Sequence, residues 1–77
     1  MSTKPVFELR RGLIKVCVRR KRTKSGTRHT VTVTRLFKDG DIWKESMRFG
    51  RDDIPLIRLL LDDAYVWIYE NGENAKP

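Results

Sequence analysis

Six of the ten residues from position 19 to 28 are cationic: Arg19, Arg20, Lys21, Arg22, Lys24 and Arg28. None of the ten is acidic. Cations in a group bind anions without a catalytic partner, and arginine adds a planar fork that matches phosphate and can stack on flat rings. Like charges held together repel, so a one-sign cluster implies an anionic partner. The plainer reading of the same residues is a solvated basic loop.

The other reactive side chains are sparse. Cys17 and His29 are the single cysteine and single histidine of the chain, which excludes an internal disulfide and a zinc finger. Cationic neighbours of Cys17 could lower its pKa, but no histidine lies near it in sequence, and a small strand filler is the simpler role. His29 could stack on a base or touch a phosphate. The adjacent pairs Asp52/Asp53 and Asp62/Asp63 diverge on a helix. The first pair suits a helix N-terminus, and Asp63 could meet a cation of a partner chain. There is no glycine-rich phosphate loop, metal-ligand spacing or nucleophile elbow. The expectation is a protein that is not an enzyme and uses no cofactor and no metal.

The chain has 77 residues and a mass of 9.1 kDa, with 39% apolar residues. That is one domain, read as a loose arm over 1–5, a folded unit over 6–70 and a tail over 71–77. The formal charge is +7 and the pI about 10.1. The total conceals an asymmetry. Residues 1–35 carry 11 basic side chains and one acid, whereas residues 36–77 carry 6 basic and 9 acidic. No long apolar run spans a membrane and the first residues lack the apolar core of a signal peptide. With one cysteine, this suggests a reducing, cytoplasmic setting, nucleoid-associated if the source is bacterial.

These side chains need elements to position them. Residues 6–9 read as a short extended segment. Residues 13–21 alternate, with Ile14, Val16 and Val18 on one side and Lys15, Cys17, Arg19 and Lys21 on the other. Residues 23–27 have turn chemistry. Residues 28–37 form a second alternating run, with Val31, Val33 and Phe37 on one face and Thr30, Thr32 and Thr34 on the other. The Asp39-Gly40 step signals a hairpin. A third run over 42–49 sets Trp43, Met47 and Phe49 against Lys44, Ser46 and Arg48. The period then changes to that of a helix from about 53 to 70, with Pro55 tolerable in its first turn and Asn71-Gly72 as a stop. The fold class expected is α+β: a curved antiparallel sheet of three to four strands followed by one C-terminal helix.

That helix is apolar over well over half of its circumference, whereas a helix lying on one sheet needs only about a third. At ~25 cal/mol per Å2, three or four large side chains left in water forgo several kcal/mol. The surplus therefore predicts a homodimer formed through the helix, with Leu56, Leu59, Leu60, Asp63 and Trp67 at the interface. The alternative cover is the arm, through Val6, Phe7 and Leu9.

The alternating cationic strands suggest one face that follows a phosphate backbone: Lys15, Arg19 and Lys21 on one strand and Lys44 and Arg48 on another. The threonine row lies between them, and Arg20, Arg22, Lys24 and Arg28 extend the edge. His29, Phe37 and Trp43 are the candidates for stacking on bases, although the parity of Phe37 and Trp43 suggests the helix-covered side. The expected partner is single-stranded DNA or RNA, and RNA would be told apart only by a contact to the 2′-hydroxyl. The rival is a dimeric adaptor whose basic loop docks an acidic protein surface.

Leu13 to Lys24, Val31 to Phe37, Asp39-Gly40, Met47 to Phe49 and Asp52 to Pro55 together resemble the core of the positive-cofactor-four family of transcriptional coactivators and its bacterial and phage relatives. The Whirly and Pur-alpha folds are related to that family. The resemblance covers about residues 12–68 through patterns of residue class. It implies a curved antiparallel sheet, a dimer made through the helices, single-stranded DNA held across the sheets, and work alongside the transcription, replication or recombination machinery. The family's helix-proximal tryptophan has no match here, since Ile54 or Leu56 stands about where it would fall. The residues carried over are the basic strand and loop from Lys15 to Arg28, with Lys44 and Arg48.

Overall fold

Glycine opens two of the three hairpin turns. Gly12 and Gly40 have φ of 57° and 65°, and among the described residues no residue type other than glycine takes a positive φ. Each is the first residue of a two-residue loop, Gly12-Leu13 and Gly40-Asp41. A positive φ at the first central position alone is the type II′ pattern, whose twist matches that of the flanking strands. The third loop is Lys24-Ser25, closed by the Thr23 hydroxyl donating to the Gly26 carbonyl at 2.7 Å.

The computed structural model describes residues 4–71. These loops join β1 (Phe7–Arg11), β2 (Ile14–Thr23), β3 (Gly26–Asp39) and β4 (Ile42–Ser46). The strands form one antiparallel sheet in the order β1-β2-β3-β4, and the sheet does not close on itself. One helix, α1 (Ile54–Asn71), follows a 3-10 turn at Arg51–Asp53. The α+β expectation holds, with four strands. Of the 1–5 arm and the 71–77 tail, residues 1–3 and 72–77 lie outside the described residues, and Asn71 is helical.

The register fixes what each face carries, because side chains alternate across a strand. Phe7 pairs with Val18, Leu9 with Val16, and Val16 with Val33. These residues face α1. Ile14, Val16, Val18 and Leu60 are fully buried there and Ala64 nearly so, with Leu9, Leu56, Ile57, Trp67 and Ile68 packed around them. Each large side chain so buried contributes roughly 1.5–3 kcal/mol.

Two features fix the start of the helix. The Gly50 amide donates to Asp53 Oδ2 at 2.7 Å, satisfying a donor that a helix N-terminus otherwise leaves without a partner. The same carboxylate lies 3.0 Å from Arg35 Nε on β3, tying the helix entrance to the sheet.

The apolar belt of α1 divides into two sides. Positions 56, 57, 60, 64, 67 and 68 turn to the sheet, at the spacing of one helix face. The expectation that Leu56, Leu60 and Trp67 serve a subunit interface is therefore corrected: they belong to the chain's own core. Ile54, Leu59, Leu61, Tyr65, Val66 and Tyr69 face outward and are 39–69% exposed, and Asp63 is also exposed. Phe7 and Leu9 do not cover this outer side, since as part of β1 they pack against the inner one.

The strand read over 42–49 is shorter than its sequence pattern. β4 ends at Ser46, whose Oγ accepts from the Arg48 amide at 3.0 Å. Met47 beyond it is 76% exposed. No helix of the described residues is long and apolar enough to cross a membrane.

Candidate nucleic-acid interface

Among the described residues, the sheet face away from α1 carries no helix. Cross-strand contacts identify its members. Lys15 Nζ meets Glu45 at 2.6 Å across β3, and Arg19 Nη1 donates to Thr32 Oγ1 at 3.2 Å. By alternation the same face takes Glu8 and Arg10 from β1 and Lys21 from β2. From β3 it takes Arg28, Thr30, Thr34, Leu36 and Lys38, and from β4 it takes Trp43. Six cations stand there against two carboxylates, Glu8 and Glu45.

Two pairs are of like charge. Arg10 stands directly opposite Lys15, and Lys21 directly opposite Arg28. Like charges at opposed positions in a sheet are destabilising. The first pair is relieved by Glu45, whose carboxylate also accepts from Thr34. The hydrogen bond with Lys15, then that with Thr34, holds the Glu45 pKa below its ordinary value, and the bond to Glu45 raises that of Lys15. The second pair lies towards the β2–β3 tip, beyond the last residues paired with β1 and β4.

Cys17 lies mid-strand on this face and is 4% exposed. Burial pushes its thiol pKa up and repulsion from Glu8 adds to it, outweighing Lys15 and Arg19. The cationic neighbours therefore do not lower its pKa, and Cys17 is a small buried strand residue.

The candidate residues divide between the two sides of the sheet. Lys15, Arg19, Lys21 and Arg28 come together on the open face, and Lys24 sits in the turn at its end. Arg20 is on the helix side. Its Nε donates to His29 Nε2 at 3.2 Å, its Nη2 reaches the Asn71 carbonyl at 3.4 Å, and its guanidinium sits 5.9 Å from the Trp67 ring centroid. Arg22 shares that side by register, opposite Thr27. Lys44 also falls there, opposite Phe37, and bridges to Asp39 at 3.0 Å. Arg48 lies past the end of β4. The single face expected for Lys15, Arg19, Lys21, Lys44 and Arg48 thus loses its last two members.

The aromatics divide in the same way. His29 and Phe37 are on the helix side, His29 edge-on to Trp67. Trp43 is on the open face, 55% exposed, with Lys38 Nζ 6.0 Å from its ring centroid. The helix-side expectation for Trp43 is corrected by the pairing of Lys38 with Trp43.

Arg10 and Lys38 are members that sequence reasoning missed. Arg10 falls just beyond the short segment read over 6–9, and Lys38 looks like part of the turn. Both become strand residues because the loops contain only two residues each. Among the described residues no cluster of histidine, cysteine or carboxylates could hold a metal. No family model, curated protein or solved structure matches the chain.

Proposed function

We propose that this protein binds single-stranded nucleic acid, DNA in the first instance, across the open face of its sheet with little sequence preference. The observation that carries this reading is the pair of opposed like charges, Arg10–Lys15 and Lys21–Arg28, on one uncovered face. Glu45 offsets the cost of the first pair, and the second costs a few tenths of a kcal/mol in the free protein. A bound phosphate between the cations turns that cost into attraction. The threonine row adds hydroxyls that donate or accept.

Fluorescence-anisotropy titration of labelled single-stranded and duplex oligonucleotides is the test. Saturable binding that prefers the single strand supports the proposal, and no binding at low salt removes it.

One observation favours a second reading. Residues 19–23 and 26–30 pair only with each other. They form a two-stranded basic ribbon, narrow enough to enter a major groove. A duplex preference in the same titration selects that reading.

The proposal includes a homodimer. Leu59, Leu61 and Val66 on the outer side of α1 are 39–48% exposed, and a second copy would remove them from water. Sedimentation equilibrium is expected to give the dimer mass at micromolar concentration, whereas a monomer overturns this part alone.

A further inference from the structure

We infer that Trp43 is a base-stacking platform at the β4 end of the open face, which makes the site selective for polymers carrying unpaired bases rather than for polyanions in general. The inference rests on the proposed nucleic-acid reading and adds the recognition of bases to it.

Three observations carry it. Trp43 is 55% exposed on a short strand, although a tryptophan on a sheet normally buries most of its ring. Lys38 sits directly opposite it, with its ammonium 6.0 Å from the ring centroid. The remaining stacking candidates, His29 and Phe37, face the helix side, so among the described residues Trp43 is the one aromatic ring presented on the cationic face.

The chemistry follows from this placement. A flat ring takes any base by its π-face, so stacking adds affinity without reading sequence. The Lys38 ammonium lies over one face of the ring, so a base stacks on the other face and its neighbouring phosphate meets the ammonium at the ring edge. Lys38 lies ten positions along β3 from Arg28, about 33 Å at the rise of a strand. A single strand can therefore stack at one end and follow cations towards the β2–β3 tip. A duplex keeps its bases inside and gains nothing from the ring.

The test uses the full chain and two labelled probes: an oligothymidylate and an abasic phosphodeoxyribose oligomer of the same length. Trp43→Ala is expected to weaken binding of the oligothymidylate by about 5- to 140-fold, the range given by stacking of one base. Abasic binding should not change, and Trp43→Phe should restore most of the loss. Lys38→Ala should weaken both probes. Circular dichroism of the variants checks that an exposed substitution leaves the sheet intact. Equal affinity of the native chain for the two probes, or an oligothymidylate affinity unaffected by Trp43→Ala, overturns the stacking role while leaving backbone binding in place. If neither probe binds at low salt, the nucleic-acid reading fails and stacking with it.

Discussion

Phe7 and Trp67 lie face to face, with ring centroids 4.7 Å apart and planes 7° from parallel. The stack joins the edge strand β1 to the last turns of α1. Arg20 rests near the same indole at 5.9 Å, and His29 approaches it edge-on at 6.5 Å. Trp67 thus gathers the start of the sheet, the base of the basic ribbon and the end of the helix. Its removal should cost about 3 kcal/mol. Urea denaturation of Trp67→Ala is expected to give a lower midpoint, and amide exchange of β1 should accelerate. An unchanged midpoint would mean that the stack contributes little.

The Lys21–Arg28 pair should set stability against function. Arg28→Thr removes a like-charge opposition worth roughly 0.2–1 kcal/mol. The variant is therefore expected to be slightly more stable than the native chain while binding single-stranded DNA more weakly. Thermal melts and titrations on the same preparation check both arms. Loss of stability and affinity together would instead indicate that Arg28 supports the fold.

Glu45 should do the opposite. Its bridge to Lys15 is partly exposed and lies between surface groups, so about 0.5 kcal/mol is the scale. The carboxyl pKa is depressed below 4.5 on folding. Its contribution is thus present above pH 4.5 and lost as the pH falls through the folded value. The Lys15 value is raised above 10.5, so its share is present below that pH and lost as the pH rises through the folded value. Glu45→Gln should melt slightly lower than the native chain at neutral pH, with the gap closing in acid. It should also bind DNA more tightly, because one carboxylate leaves the open face.

Cys17 should be slow to react. Its thiol is buried and its pKa raised, and the thiolate is the reactive form. Labelling with a thiol reagent at neutral pH is expected to be slow in the folded chain, fast in urea, and slower still with a single-stranded oligonucleotide over the face. Rapid labelling of the folded chain would place Cys17 in solvent.

Much of this was legible in the residues. Ile14, Val16 and Val18 alternate because one side of β2 meets a helix, and the period change after Phe49 marks that helix. What could not be read was register. Whether Trp43 or Lys44 shares a face with Lys15 depends on which β3 residue each one opposes, and a slip of one residue exchanges them. The partition of the apolar helix had the same difficulty. Leu59 and Leu60 are equally apolar, and only packing sends Leu60 to Ile14 and Val16 and leaves Leu59 in water.

The most direct test of single-strand binding through the open face is the salt dependence of the affinity for an oligothymidylate. With six cations on that face, log affinity should fall linearly with log salt with a slope near −4, at about −0.7 per phosphate neutralised. Neutralising Arg19, Lys21 and Arg28 together should bring the slope to about −2 by the same rule. A slope that this triple variant leaves unchanged, or no saturable binding at low salt, would contradict the assignment of the open face.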